Sequence, residues 1–302
     1  MVRVSRVEAR QQLARVAVVV HPTREIAKAL QTLDAWAGEH GLDVVQIATL
    51  GGSDREVARL GELESSDLVV ALGGDGTVLA ALRAAAHANV PVLGVACGSL
   101  GALTAVRGDA LERALARVRS GDWTARRLPA IAIHPADADD TWALNDFVVV
   151  RHGAGQVVVN VFIDDELYVR LAGDGLIVAS PLGSSAYSMA AGGPVLASGM
   201  PALVCTPLAM HGGSAPPLVV PASTHVRVEV HPSFAGFDIE IDGQRYPFEA
   251  LDYRLSLHDE KVTLVSFGEL GLGIPGLRER RLITDSPRVL ARDDRARTPR
   301  EA

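Results

Sequence analysis

The chain has 302 residues, 48% of them hydrophobic and 22% charged, enough for one large or two modest domains with proper cores. Its formal net charge of -7 argues against a nucleic-acid-binding protein, which needs a basic face to neutralise phosphates. No apolar run is long enough to cross a bilayer, and the opening MVRVSRVEARQQLARV carries charges where a signal peptide has its apolar core, so a soluble cytoplasmic protein is expected.

In chain order, Val16 to Val20 reads as a buried strand, followed after HPTR by a helix from Glu25 to Ala37 that Gly41 stops. The strand DVVQIA comes next, and Ser53 to Glu56 matches a capping box that opens another helix. LVVAL (Leu68 to Leu72), a helix from about Val78 to Ala88, the strand VPVLGVA and a helix from about Ala110 to Arg119 complete a βαβ series, which implies a parallel sheet with helices on both faces. From about Arg126 the period changes to two: VVVNVFI-DD-ELYVRL, FDIEI-DG-QRYPF and YRLSLHDEKVTLVSF. Asp242-Gly243 is a strong hairpin signal, since a type I′ turn needs positive φ at both central residues. The last fifteen or so residues are charge-mixed and are expected to be solvated or disordered. The fold expected is a Rossmann-like α/β domain over 1–125, rejoined by about 275–302, with a mainly antiparallel, sandwich-like β domain over 126–274 and the active site in the cleft between them.

The turn GGDGT (Gly73 to Thr77) sits where strand LVVAL runs into a helix, the edge at which parallel sheets gather ligands. Glycines let the backbone approach a phosphate chain, and a helix start offers unpaired N–H groups. The only lysines, Lys28 and Lys261, lie outside glycine-rich turns, so a phosphate site here must use backbone N–H groups, arginine or a metal. Asp75 within this turn has three readings: it holds magnesium that bridges phosphates, it accepts a proton from an attacking hydroxyl, or it caps the helix beginning near Val78. Cys97 and Cys205 are far apart with no CxxC, so free thiols are expected rather than zinc ligands, and no residue is assigned as a protein metal ligand.

Further stretches share an order with GGDGT: ALND (Ala143 to Asp146), GDGLIVASPLGSSAYSMAAGGP (Gly173 to Pro194), TPLAMHGG (Thr206 to Gly213) and DGQ (Asp242 to Gln244). Taken singly each has a structural alternative: a polar step for Asn145 and Asp146, a core aromatic for Tyr187, a turn residue for Asp174, a structural histidine for His211. Together, from about Val16 to Phe267, they resemble the NAD kinase family, whose GGDGT is shared with diacylglycerol-type and sphingosine-type lipid kinases. The resemblance implies phosphorylation of the 2′-hydroxyl of the adenosine ribose of NAD by ATP or polyphosphate, with magnesium or another divalent cation. It implies that Asp75 is the base and that Gly73, Gly74, Gly76 and Thr77 bind nucleotide. Asn145 with Asp146 would contact ribose and adenine, Ser185, Ala186 and Tyr187 would line the NAD pocket, Asp174 would lie near the nicotinamide end, and His211 corresponds to the histidine after the TP motif. A homodimer or homotetramer is also implied. The sequence departs from the family pattern at Ala96, Ala102, Leu182, Ser185, Asp146 and Pro216. These departures leave two alternatives open: a superfamily kinase acting on a lipid or sugar hydroxyl, and a catalytically weak NAD(H)-binding regulatory paralogue.

Overall fold

The computed structural model describes residues 4–6, 13–49, 55–197, 199–232, 234, 236–247, 250–268, 274–279 and 282–297. Four apolar runs form the parallel strands β1 (Arg15–Val20), β2 (Asp43–Gln46), β3 (Leu68–Gly73) and β4 (Val92–Ala96), in the spatial order β2-β1-β3-β4. Helix α1 (Ala27–His40) ends at Gly41, whose φ of 66° lets its N–H reach the carbonyls of Ala37 and Gly38. Helices α2 (Asp75–Ala85) and α3 (Leu111–Ser120) follow. Successive strand residues point to opposite faces, so each face buries its own set. Leu33 and Trp36 of α1 and Leu115 of α3 pack with Val16, Val18 and Leu93, while Val78 and Leu82 of α2 pack with Ala17, Val69 and Ala71 on the other face.

The later strands are β5 (Thr124–Pro135), β6 (Asp146–Arg151), β7 (Val157–Ile163), β8 (Glu166–Gly173), β9 (Gly175–Ala179), β10 (Ala202–Leu208), β11 (Val226–His231), β12 (Phe237–Ile241) and β13 (Asp252–Ser266). Strand β13 is the seam. Its Leu264 pairs in parallel with Val92 of β4, while its other half runs antiparallel to β11, giving one sheet in the order β8-β7-β11-β13-β4-β3-β1-β2. A second, antiparallel sheet contains β10, β9, β6 and β12 in that order. Its Phe147, Leu176, Leu203 and Ile239 close onto Val159, Leu171, Val228 and Tyr253 of the first, with the Phe147 and Tyr253 rings 4.9 Å apart. The expected class therefore holds: parallel α/β first, antiparallel β second. Both hairpin turns have positive φ at both central residues, 48° and 67° at Asp164 and Asp165, 53° and 74° at Asp242 and Gly243, as type I′ geometry demands.

Three local expectations need correction. The helix expected after Ser53 does not form among the described residues; Ser53 and Asp54 lie outside them, and 55–67 carry no helix. The side chain of Gln46 takes over the backbone groups there: its Oε1 accepts from Val57 N (2.7 Å) and its Nε2 donates to Arg55 O (2.7 Å), holding the segment beside β2. The helix expected from Val78 begins at Asp75, because Gly74 supplies the extended residue before the first turn. In the tail, residues 282–292 are exposed and Pro287–Arg297 is helical rather than structureless; residues 298–302 lie outside the described residues. Cys205 is buried and free, whereas Cys97, also free, is only partly buried.

Candidate active site

The glycine-rich turn is fixed by close packing and by its neighbour strand. A Cβ on Gly73 would lie 2.2 Å from Thr77 Oγ1, and Cys97 N–H donates to Gly73 O at 2.9 Å, tying the turn to the end of β4. Thr77 and Val78 both donate to Gly74 O, at 3.0 and 3.1 Å. The first turn of α2 leaves the N–H groups of Asp75 and Gly76 without an intrahelical acceptor. Asp75 does not cap this helix. Its Oδ2 accepts from Ala102 N (2.8 Å) and its Oδ1 from Leu103 N (2.9 Å), in the loop that follows β4. That approach requires a glycine: a Cβ on Gly101 would stand 2.0 Å from Asp75 Oδ1. The loop is held in turn by Gly101 N–H donating to Thr104 Oγ1 at 2.8 Å and Ala105 N–H to Gly94 O at 2.8 Å.

The ALND turn between Ala143 and β6 is shaped from a distance by Asp242. Asp242 Oδ1 accepts from Asn145 N at 2.6 Å and its Oδ2 from Leu144 N at 3.0 Å. Arg83 of α2 completes the clamp, with Nη1 2.7 Å from Asp242 Oδ2 and 2.9 Å from Trp142 O. One buried carboxylate thus joins the helix behind Asp75 to the turn carrying Asn145. Ser180 N–H donates to Asn145 O at 2.8 Å, and a Cβ on Gly183 would come within 1.9 Å of that oxygen. The segment from Gly183 is therefore pressed against the ALND turn, and Leu144 and Leu182 reach into the core beneath α2.

These elements enclose a cleft of about 470 Å³ whose wall includes Arg24, Gly74, Asp75, Gly76, Asn145 and Ala186, together with Ser185. Asp146 is not on that wall. It is 4% exposed, and burial, then Asp242, then Glu240 push its carboxyl up to about 7. A smaller hollow of about 280 Å³ is lined by Val150, Arg151, Asp174, Tyr187, Leu208 and Ala209. Ala186 and Tyr187 are chain neighbours, so the two hollows share the short segment after Gly183. Asp174 is paired with Arg151 Nε at 2.6 Å. Burial, then Glu240, Asp146 and Asp174, raise the Tyr187 hydroxyl above its ordinary range. Gly73 and Thr77 lie behind the cleft in the turn, and His211 is exposed and lines neither hollow. Thr206 of the TP stretch is buried against Ser188, their oxygens 2.8 Å apart, and Gly193 packs on both, so these motif residues serve packing.

Among the described residues no group of three His, Cys, Asp or Glu side chains is placed to hold a metal ion. Sequence reading did not single out Arg24, Arg83, Gly101 or Asp242 as site residues. For Arg24 a signal existed, because the loop after β1 opens at the same carboxyl edge as the glycine-rich turn. In the sequence Asp242 stands only as a turn residue of the DGQ stretch, and its role, like those of Arg83 and Gly101, depends on contacts across long sequence separations.

Comparison with known proteins agrees along the chain. Residues 16–123 match the model for the ATP-NAD kinase N-terminal domain and residues 144–254 that for the ATP-NAD kinase C-terminal domain. A NAD kinase of Heliobacterium modesticaldum is 38% identical over 209 residues, spanning 68% of this chain and 74% of its own. Another, of Koribacter versatilis, is 34% identical over 240 residues, spanning 76% of this chain and 84% of its own. Two solved structures share the fold at 23% identity: yeast NADH kinase complexed with NADH (TM-score 0.72, 91% of this chain and 89% of that one) and an NAD kinase from Archaeoglobus fulgidus in complex with ATP (TM-score 0.71, 89% and 100%).

Proposed function

The chain belongs to the NAD kinase family, and on that premise we propose that it carries the terminal phosphoryl group of ATP to the 2′-hydroxyl of the adenosine ribose of NAD, with Asp75 as the base. The observation that carries this reading is the common wall of one cleft, on which Asp75 and the start of α2 face Asn145, Ser185 and Ala186. The hydroxyl proton passes to Asp75 as the oxygen's electron pair attacks the terminal phosphorus. The bond from that phosphorus to the bridging oxygen breaks, and its electrons leave with ADP. Both carboxylate oxygens already accept one N–H each, but an ionised carboxylate has about four acceptor positions, so a lone pair remains for the proton. Those two hydrogen bonds fix the carboxylate's position, which matters more to a base than its strength alone.

The free N–H groups at the start of α2 favour the anionic phosphates, and Asn145 can serve an adenine edge as donor and acceptor at once. The hollow lined by Tyr187 and Asp174 is left for the nicotinamide end of the dinucleotide, next along the chain from Ala186 on the wall of the first cleft. Among the described residues Asp75 is the only carboxylate on the cleft wall. A divalent cation such as magnesium would be held on the protein side by Asp75, and would neutralise phosphate charge there. A cytoplasmic homodimer or homotetramer is the proposed working form; no helix among the described residues is long and apolar enough to cross a membrane.

The test is incubation of the purified protein with ATP, magnesium and NAD, followed by chromatographic identification of the product. NADP formation is expected. Tight NAD binding without NADP would mean a dinucleotide-binding protein, and turnover of diacylglycerol but not NAD would mean a lipid kinase.

A further inference from the structure

We propose that Arg24 is the cationic ligand of the donor's phosphates, an assignment that rests on the kinase reading above. The cleft needs such a group. A nucleoside triphosphate brings several negative charges to a wall that already holds Asp75, and a helix N-terminus offers only about half a unit of positive charge in return. Neither lysine of the chain lies on this wall, and among the described residues lining it Arg24 is the only cation.

The position of Arg24 is built rather than incidental. Its guanidinium lies across the start of α2: Nη1 is 2.9 Å and Cζ 3.4 Å from where a Cβ on Gly74 would stand, and Nη1 is 3.3 Å from the same point on Gly98. Side chains at either position would push it aside, so the two glycines make the room it occupies. The backbone beneath it is anchored. His21 Nδ1 accepts from Thr23 N (3.2 Å) and Arg24 N (3.1 Å), and Arg55 Nη1 donates to Arg24 O (2.7 Å) and His21 O (3.3 Å). The guanidinium itself makes no hydrogen bond or ion pair with any described residue. Other arginines near the site are committed elsewhere: Arg83 to Asp242 and Arg151 to Asp174.

An open guanidinium fork, rigidly based and set at a helix start on the same wall as the base Asp75, has the shape and charge to grip two oxygens of one phosphate. Charge spreads over the equatorial oxygens of the moving phosphoryl group in the transition state, so the same contact strengthens as the reaction proceeds. Arg24 should therefore affect turnover as well as ATP affinity, while leaving the dinucleotide side of the cleft alone.

Steady-state kinetics of full-length Arg24→Ala, with ATP and NAD varied in turn, tests this. The KM for ATP should rise about tenfold or more and kcat/KM for ATP should fall about 10²-fold or more, while the KM for NAD stays within about twofold. Arg24→Lys should recover part of the loss, and added guanidinium at millimolar concentration should partly rescue the alanine variant. Unchanged ATP parameters would overturn the assignment, as would a matching loss on the NAD side. Calorimetric titration of inorganic tripolyphosphate into wild type and variant makes the comparison without turnover. If the protein formed no NADP yet wild type bound tripolyphosphate about tenfold tighter than the variant, the assignment of Arg24 would stand while the kinase reading fell. Equal affinities would refute the assignment of Arg24 whatever the enzyme does.

Discussion

Gly101→Ala isolates the geometry of Asp75 without touching its chemistry. The backbone at Gly101 is not among the positive-φ glycines, so alanine brings no conformational strain of its own. Its cost is the contact: the new Cβ would stand 2.0 Å from Asp75 Oδ1 and 2.5 Å from Cγ, where ordinary contact begins near 3.4 Å. The carboxylate must retreat by about 1.4 Å or the loop must swing away by as much, and either movement breaks the hydrogen bonds from Ala102 and Leu103. A misplacement of about 1 Å at a catalytic group is worth about 10²-fold in rate, roughly 2.7 kcal/mol of barrier. The lost hydrogen bonds to a charged acceptor add about 1–3 kcal/mol of stability loss, readable separately by urea unfolding. NADP formation should fall about 10²-fold in kcat while calorimetric NAD affinity changes by less than about threefold. In a background already carrying Asp75→Asn the same substitution should cost little more in rate, because the two act on one group. A Gly101→Ala enzyme with wild-type kcat would refute the reasoning, since it would mean that the position of the carboxylate does not limit the chemistry.

The clamp behind Asn145 predicts a stability effect. Arg83→Ala leaves the Asp242 side chain, 1% exposed, without its cation, and should cost about 2–3 kcal/mol in urea unfolding, less than for a fully buried pair because Arg83 is itself 25% exposed; a loss below about 1 kcal/mol would contradict the clamp. Asp146 predicts a pH dependence of definite sign. Burial, Asp242 and Glu240 raise its carboxyl from the ordinary 3.8 to about 7, so the folded protein keeps a proton that the unfolded chain releases. Its contribution to stability is present below pH 3.8 and is lost as pH rises towards about 7. Asp146→Asn, which resembles the protonated form, should gain on wild type as pH rises through that window in parallel unfolding series; a constant difference would show that the carboxyl is not perturbed.

Much of the fold was legible because buried parallel strands are short apolar runs and hairpins carry turn residues with positive φ. Val16 to Val20 and Leu68 to Leu72 could hardly be anything else, and Asp242-Gly243 announced its turn. Where local pattern competed with a distant side chain, local pattern lost. Over the described residues 55–67 no helix follows the Ser53–Glu56 pattern, and the amide of Gln46 in the neighbouring strand satisfies Arg55 O and Val57 N. The start of α2 was misjudged because Asp-Gly-Thr has no apolar periodicity and the residue before the helix is a glycine. Strand β13, fifteen residues long, joins both halves in one sheet, an outcome set by pairing partners rather than by its own sequence. The site divides in the same way. Asp75 and Asn145 could be named from motifs. The Gly101 approach to Asp75 and the Arg83–Asp242 pair, 159 residues apart in sequence, arise only when the chain is folded.

The central claim is that Asp75 takes the proton from the ribose hydroxyl as phosphate arrives. Asp75→Asn preserves size and removes the basic oxygen, at the cost of one of the two accepted bonds because its NH2 cannot accept from Ala102 or Leu103 N; single-turnover NADP formation and calorimetric NAD binding measured on the same preparation separate the two roles. Turnover should fall about 10³-fold or more with NAD affinity held within about threefold. An asparagine enzyme that keeps its rate, or one that loses rate and affinity together, would contradict the account.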